Sequence, residues 1–216
     1  MTVDLSLVSA LTVTVDYAVT GTATAGGTDH TTTGGTITFN PGDQNFQQQI
    51  VGIVDDALDE ENETIILTLS NPTNATLGAQ TTHTYTITDN DPEPTVTLSV
   101  DNNSINEATG TATLTATLSA VSAKNVTVAI AYSGTAVNGT DYNSTASTTI
   151  TINAGQPSAT AAVIITPVND TNPEAAETII AEITGVTNGT ENGTQSQTIT
   201  IVDDDTPDLT FTAAAS

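Results

Sequence analysis

Short runs in which apolar and polar residues alternate fill most of the chain, and clusters of Gly, Asn, Asp and Pro separate them. This period of two is typical of strands that bury one face, because successive side chains point to opposite sides. The predicted strands of the first half are 12–19, 35–39, 48–54, 64–69 and 83–88. Those of the second half are 95–100, 111–118, 125–131, 148–152, 159–166, 177–183 and 196–202. Without helical periodicity, the pattern predicts an all-β protein of antiparallel sandwiches.

The two halves of the chain repeat one another. Residues 5–23 align without a gap with residues 118–136, and residues 54–64 return as residues 168–178. A repeat of about a hundred residues has the size of a domain, so it predicts two tandem domains. The predicted boundaries are a first copy at 1–91, a complete second copy at 92–205 and a tail at 206–216.

The alignment leaves the first copy without a counterpart of residues 92–113, and therefore without an opening strand. The tail, TPDLTFTAAAS, resembles residues 91–101, where the second copy begins. We expect the tail to be the first strand of a following repeat or a strand donated to another copy. The chain is accordingly predicted to be a segment of a longer array.

Acidic residues dominate the charge of the chain. Its 25 Asp and Glu residues face a single basic residue, Lys124, and two His residues, which gives a formal net charge of -24. Such a field repels nucleic acids and anionic membrane surfaces, so neither is expected as a partner. The sequence contains no cysteine to form disulfides, and no apolar run long enough to predict membrane insertion.

Most of the acids recur in register at predicted strand ends and turns. In the second copy they are Glu107, Asp141, Asp170, Glu174, Glu177, Asp203, Asp204 and Asp205, and in the first copy Asp29, Asp55, Asp56, Glu60, Glu63, Asp89 and Asp91. Calcium prefers six to eight oxygen ligands, several of them carboxylates. Like charges about 4 Å apart repel by roughly 4 kcal/mol at an effective dielectric of about 20. We therefore expect Ca²⁺ to neutralise both groups.

Four motifs of the second copy are similar to those of the Calx-beta domain: GTAVNGTDY at 134–142, INAGQ at 152–156, NDTNPEAAET at 169–178 and IVDDD at 201–205. The first copy carries their partners, so the chain resembles tandem Calx-beta repeats of a bacterial surface or extracellular protein. The resemblance implies an immunoglobulin-like sandwich with calcium ions in loops at one end. The ligands it implies are Glu107, Asp141, Asp170, Glu174, Glu177, Asp203, Asp204 and Asp205.

Three departures from the Calx-beta pattern make the two copies unequal. Asn169 replaces the first Asp of a pair in the second copy, and Asn90 interrupts the closing triplet of the first. The first copy also lacks the early Glu. Each change is expected to lower the number or affinity of bound ions, most of all in the first copy.

Two other interpretations of the acidic residues, solvated surface and catalysis, must be weighed against metal binding. Acidic turns are often ordinary solvated surface, and this is what we expect of Asp59, Glu61, Glu182 and Glu191, which lack matched acids. Paired carboxylates also occur in glycosidases, but the chain has no Trp and few aromatics to stack a sugar. His30 and His83 have no partner at zinc spacing. The sequence therefore predicts no enzyme.

The function predicted is that of a calcium-binding structural module in a long extracellular or cell-surface adhesin or fibre, with neighbouring repeats of the same protein as partners. Calcium ions in the end loops would rigidify the tandem domains. One alternative is a calcium-sensing regulatory module, for which Calx-beta domains are also used. The other is a filament subunit that associates head to tail by donating residues 208–212 as a strand.

Overall fold

The computed structural model describes residues 2–44, 47–48, 51–144, 148–159, 163–207 and 209. The described residues form strands and turns and no helix, which confirms the predicted all-β class of tandem immunoglobulin-like sandwiches. Contacts divide the chain into two compact units, Met1–Asp91 and Pro92–Ser216. No described helix is long and apolar enough to cross a membrane.

The second unit is a sandwich of two five-stranded sheets. Its strands are β7 (Thr95–Val100), β8 (Ser104–Asn106), β9 (Ala112–Leu118), β10 (Val126–Gly134), β11 (Tyr142–Ser144), β12 (Thr149–Ile152), β13 (Val163–Pro167), β14 (Glu177–Thr187), β15 (Thr190–Glu191) and β16 (Ser196–Val202). One sheet has the order β12-β10-β14-β16-β8 and the other β11-β13-β9-β7-β15. Neighbours are antiparallel, except that β8 is parallel to β16 and β15 is parallel to β7.

The core of the second unit comes from alternate residues of these strands. Val126, Val128 and Ile130 of β10 are buried, as are Ile179 and Ala181 of β14, while the residues between them face outward or lie at intermediate depth. Burying one such branched side chain contributes about 1.5–3 kcal/mol. The alternation seen in the sequence therefore fixes which face of each strand meets the opposite sheet.

The first unit repeats part of this architecture. Its strands are β1 (Thr2–Val3), β2 (Val13–Gly21), β3 (Gly35–Phe39), β4 (Gln47–Gln48), β5 (Glu63–Thr73) and β6 (Thr82–Ile87). The order β3-β2-β5-β6 matches β12-β10-β14-β16 of the second unit, and β1 pairs antiparallel with β4. The buried cluster here consists of Val13, Val15, Ile37 and Phe39, with Val3, Leu5, Tyr17 and Leu69 packed partly buried against it.

Several strands differ from their predicted bounds. β5 and β14 extend past the alternating run to Thr73 and Thr187, because pairing with β2 and β10 continues beyond a register shift. The sequence does not predict the short strands β1, β8, β11 and β15, since three or fewer residues show no alternation. Predicted strands 48–54 and 159–166 fall partly outside the described residues, as does most of the tail at 206–216. Within the first of these, residues 51–54 are not a strand, because only Ile53 pairs, in an isolated bridge with His30.

Candidate metal centres

Loops at the ends of strands bring carboxylates together in the second unit. One group, called here the Glu177 cluster, consists of Asp141, Glu174 and Glu177, and a second, the Glu107 cluster, consists of Glu107, Asp170 and Asp205. Within each cluster, one carboxylate oxygen from every residue lies within 4.8 Å of the others. Six of the eight acids predicted in this copy therefore fall into two groups of three.

Backbone hydrogen bonds fix the residues of the Glu177 cluster. Glu177 is the first residue of β14, and Asp141 lies in the turn before β11. The amide of Val137 donates to Asp141 Oδ2 at 2.6 Å, which orients that side chain. The amide of Glu174 donates to Asp203 Oδ2 at 2.9 Å, which ties the loop before β14 to the end of the unit.

A glycine and a threonine hold the start of β14 in place. The amide of Thr178 donates to Thr135 Oγ1 at 2.9 Å, and the amide of Ala136 donates to the Thr178 carbonyl at 3.0 Å. Gly134 has a positive φ of 122°, and a Cβ there would lie 2.1 Å from the Thr178 carbonyl oxygen. Only glycine permits this close approach, which positions Glu177 next to Asp141.

The Glu107 cluster depends on the parallel pairing of β8 with β16. Glu107 follows β8 directly and is buried, with 7% of its surface exposed. Its Oε1 accepts a hydrogen bond of 2.8 Å from the amide of Asp170, which lies in the loop after β13. Asp205 is held by its own amide, which donates to Asp203 Oδ1 at 3.2 Å.

Asp203 and Asp204 have a different position from the six clustered acids. Both oxygens of Asp203 accept backbone hydrogen bonds, from Glu174 and Asp205, so this residue connects the loops that carry the two clusters. Asp204 Oδ1 accepts a hydrogen bond of 3.1 Å from the amide of Ala108. Asp203 and members of both clusters line one cavity of about 10 Å³, which is just large enough for one water molecule or one ion.

The electrostatics of the second unit favour a bound cation. Desolvation raises the pKa of Glu177, and so do the charge of Asp141 and a hydrogen bond to that carboxyl group. The Asp170 amide lowers the pKa of Glu107, but desolvation and the charges of Asp170 and Asp203 outweigh it and raise the pKa overall. Desolvation and the neighbouring acids also raise the pKa of Asp205. The carboxylates thus disfavour one another's charge.

The first unit forms one cluster of the same kind. This Glu63 cluster consists of Asp29, Glu60 and Glu63, which align with Asp141, Glu174 and Glu177, and its oxygens also lie within 4.8 Å of one another. Asp29 is buried, with 7% of its surface exposed. The anchoring bonds recur: the amide of Thr64 donates to Thr22 Oγ1 at 2.8 Å, and the amide of Glu60 donates to Asp89 Oδ2 at 3.2 Å.

The remaining predicted acids of the first unit lie nearby without forming a second cluster. Asp55, Asp56, Asp89 and Asp91 line the same cavity of about 70 Å³ as the Glu63 cluster. Among the described residues of this unit, no other three carboxylates come within the cluster distance. The reason is visible in the alignment, because nothing in the first copy corresponds to Glu107.

Three carboxylates of the first unit, Glu60, Glu63 and Asp91, also have raised pKa values. Desolvation raises the pKa of Glu63, together with a hydrogen bond to Asp29 and the charges of Asp29 and Glu60. Desolvation and the charges of Asp29 and other nearby acids raise the pKa of Glu60. The pKa of Asp91 is raised by desolvation and by Asp89 and its neighbours. In both units, desolvation and neighbouring carboxylates therefore raise the pKa of acids in or beside the clusters.

Asp59 was predicted as plain surface, and this is wrong. Only 3% of Asp59 is exposed, and its charge contributes to the raised pKa of Asp91. The residue was missed because its position in the second copy holds Pro173 and so has no matched acid. The density of acids in DDALDEENE was the signal that could have indicated it.

A match to one domain family covers nearly the whole chain. The Calx-beta domain family matches residues 2–93 and again residues 89–205. The chain belongs to the Calx-beta domain family. Two Calx-beta domains therefore follow one another in tandem.

Two solved structures are similar to this chain at low sequence identity. One is CBD12 from CALX1.2, with 16% identity and a TM-score of 0.40 over 93% of this chain and 91% of that chain. Another is the apo-form Calx CBD1 domain, with 17% identity and a TM-score of 0.42 over 51% of this chain and 99% of that chain. No curated protein sequence matches the chain significantly.

Calx-beta domains bind calcium, and the two Calx-beta units offer donors that fit this ion. All members of the three clusters are carboxylates, the ligands that a hard divalent cation prefers. Asp205 Oδ2 is buried and has no hydrogen-bond partner among the described residues. Such an oxygen costs free energy unless a proton or a cation satisfies it. Calcium is therefore the cofactor that the site chemistry supports.

Proposed function

We propose that the chain is a calcium-stiffened segment of a longer extracellular protein, of adhesin or fibre type, whose direct partners are neighbouring repeats. The observation that carries this proposal is the buried Asp205 Oδ2, which has no hydrogen-bond partner in the described part of the chain and lies in a cluster with Glu107 and Asp170. A cation there would satisfy that oxygen and neutralise three carboxylates that come from three separate loops. It would thereby join the loops into one rigid end of the domain.

The Glu177 cluster and the Glu63 cluster would hold further ions in the same way. In the second unit, Asp203 hydrogen-bonds backbone of both loops, so ions in the two clusters would reinforce each other. In the first unit, Asp91 directly precedes Pro92, with which the second unit begins. An ion that orders residues 89–91 would therefore also order the start of the connection between the units.

Charge and composition support a place outside the cell. Extracellular calcium modules bind with dissociation constants of about 0.1 to 1 mM, which suits a calcium-rich exterior. With a net charge of -24, a calcium-free array would repel itself and its loops would be held less firmly. Lys124 is the one site at which a trypsin-like protease could cut, which suits an exposed protein.

Calorimetric melting of the whole chain in calcium and in chelator tests the proposal. A ligand at 100 times its dissociation constant stabilises by about 2.7 kcal/mol, and 1 kcal/mol shifts the Tm of such a domain by about 4–8 °C. We expect calcium to raise the Tm by about 10 °C or more, and sodium chloride at equal ionic strength to raise it much less. Equal shifts in the two salts would reject specific calcium binding.

Isothermal titration with calcium separates the spacer from a regulatory sensor. A sensor that responds inside a cell needs dissociation constants of about 0.1 to 10 µM, whereas a spacer outside the cell does not. We expect the tightest site to be weaker than that range. A micromolar first site would contradict the spacer and favour the sensor.

A further inference from the structure

Strand β3 of the first unit lies at one edge of its sheet. It pairs antiparallel with β2, with Val15 opposite Ile37, and with no other strand in the described part of the chain. Ile37 and Phe39 are buried, whereas Thr36 and Thr38, which alternate with them, are exposed. One face of β3 therefore belongs to the core, while its outer edge meets no other described strand.

The backbone groups at this outer edge belong to Thr36 and Thr38. The amide of Leu69 in β5 donates to the Thr81 carbonyl at 2.8 Å, so the odd-numbered residues of β5 bond β6 and the even-numbered residues bond β2. Because bonding directions alternate along a strand, the even-numbered residues of β2 bond β5 and the odd-numbered ones bond β3. Thr36 and Thr38 lie opposite even-numbered residues of β2, so their N–H and C=O groups point away from the sheet.

The outer edge of β3 lacks the usual protection against pairing. Soluble proteins block such edges with charged side chains, proline, bulges or very short strands. β3 has five residues, no proline and no register shift against β2, and residues 30–42 contain no Asp, Glu, Lys or Arg. By contrast, the edge strands β8, β11 and β15 of the second unit have only two or three residues. The edge of β3 is therefore available to another strand.

The distribution of charge favours a second copy of the chain as the partner. A basic partner would be attracted to the acidic clusters, whereas this uncharged edge accepts an equally uncharged one. Asp16 of β2 accepts a hydrogen bond from Thr36 Oγ1 at 2.7 Å. Three strand spacings would separate the Asp16 residues of two copies joined through β3, a distance of about 14 Å. This exceeds the Debye length of about 8 Å at physiological ionic strength, so their repulsion is largely screened.

We infer that β3 docks a second copy of this chain edge to edge, by antiparallel pairing with the β3 strand of that copy about a two-fold axis at Ile37. In this register Thr36 lies opposite Thr38 of the second copy, and their outward N–H and C=O groups exchange hydrogen bonds. The threonine side chains form cross-strand pairs on the outer face, a favourable combination in sheets. The buried side chains of both strands stay on the core side.

The second unit carries a strand of the same pattern at the matching position. β12 also ends its sheet, with TITI at 149–152 where the first unit has TITF at 36–39, and residues 142–169 contain no charged residue. Two short strands bury far less than the roughly 1,600 Å² of a typical stable interface, so a single pair associates weakly. In an array of repeats, weak contacts of this kind add up. Only this gain by repetition rests on the proposed function.

Sedimentation equilibrium in excess calcium tests the inference, at concentrations up to about 1 mM so that weak association is detected. We expect reversible dimers, favoured by added sodium chloride because salt screens the repulsion between copies. Thr38→Glu places a charge in the paired edge and should weaken association by at least about tenfold. The matched control Thr68→Glu adds the same charge to the outer face of the interior strand β5 and should keep the dimers. Equal association of the two variants, or monomer at every concentration, overturns the inference.

Thr38→Pro tests the backbone pairing itself. The substitution removes an outward amide but no bond to β2, and proline is tolerated on an edge strand whose N–H faces solvent. We expect a monomer that is still folded, as shown by the same rise of its Tm with calcium as the unsubstituted chain. A Thr38→Pro variant that dimerises as strongly as the unsubstituted chain contradicts the inference.

Amide hydrogen exchange measured by NMR locates the contact in the unsubstituted chain. The amides of Thr36 and Thr38 should exchange more slowly as the protein concentration rises, whereas that of Ile37, which already bonds β2, should change much less. Dimers without this protection, or with protection at Thr151 of β12 instead, overturn the inference. A chain that gains stability from calcium and remains monomeric overturns this inference alone and leaves the calcium proposal standing.

Discussion

Glu107 is the residue that makes the two units chemically unequal. It is buried after β8, accepts the amide of Asp170 and joins Asp170 and Asp205 in a cluster that the described part of the first unit lacks. Its carboxylate is desolvated and faces other negative charges, so its pKa is raised. The residue therefore favours either a proton or a nearby cation.

Replacement of Glu107 by Gln should change stability in opposite directions with and without calcium. In chelator, Glu107→Gln removes a disfavoured charge but keeps an oxygen for the Asp170 amide, so the Tm should rise. In calcium, loss of a charged ligand should weaken binding in the second unit by about tenfold, or about 1.4 kcal/mol. Melting and calcium titration measure both effects.

Glu182→Gln provides the matched control for this prediction. Glu182 lies on the exposed face of β14 and outside the acidic cavity, so the same change of charge should have little effect on either measurement. Identical results for Glu107→Gln and Glu182→Gln would mean that position in the cluster does not matter.

The raised pKa values predict an unusual pH dependence for the calcium-free chain. Glu60, Glu63, Asp91, Glu107, Glu177 and Asp205 all have folded pKa values above their ordinary ones. The folded state therefore binds protons more tightly, and stability falls as pH rises through these pKa values. We expect the Tm in chelator to rise as the pH is lowered from 7 toward the ordinary carboxyl pKa values of about 4. In saturating calcium the trend should reverse, because protons compete with the ion.

At the scale of elements, the start of β14 and the start of β5 are built in the same way. Gly134 and Gly21 both have positive φ, and each places its backbone against the carbonyl of a threonine in the neighbouring strand. The threonine, Thr178 or Thr64, directly follows the Glu that opens the strand. The backbone contact at the start of each strand therefore also helps to position the carboxylate of the Glu residue that opens it.

Gly134→Ala should disturb both the fold and the site of the second unit. The new Cβ would lie 2.1 Å from the Thr178 carbonyl oxygen at a φ of 122°, so something must shift. We expect a loss of about 1–3 kcal/mol in free energy of unfolding, with weaker calcium binding. Gly185→Ala, where a Cβ meets nothing within 4 Å, should leave both nearly unchanged in denaturant unfolding. A Gly134 variant as stable as the Gly185 variant would contradict this account.

The long strands could be predicted from the sequence because their alternation decides which face is buried. β2, β10 and β14 are examples, whereas β8 is defined by pairing with β16, nearly a hundred residues away along the chain. Alternation is local and pairing is not, so three residues such as Ser104–Asn106 gave no signal. The same limit applies to the acidic clusters. The acids that belong to them could be identified from the sequence, but not which acids share a cluster.

At the scale of the whole molecule, the repeat predicted which acids would gather but not how they would group. Asp170 joins Glu107, while Glu174, four residues later in the same loop, joins Asp141. This division depends on which loops meet across the end of the sandwich. Burial of Asp59 could not be predicted for the same reason.

The two Calx-beta units differ in the number of their carboxylate clusters. The second unit has two carboxylate clusters, whereas the first has one such cluster among its described residues. If each cluster holds an ion, calcium stabilises the second unit more than the first.

The parallel pairing of β8 with β16 has a mechanical consequence for the second unit. Because β8 lies near the beginning of the unit and β16 at its end, tension on the chain pulls these strands in opposite directions along their length. The hydrogen bonds between them must then break together instead of one after another. The ladder continues to the Glu107 amide, which donates to the Val202 carbonyl at 2.9 Å. An ion shared by Glu107 and Asp205 would lock the end of this ladder, so that dissolved calcium would set the force at which the domain opens.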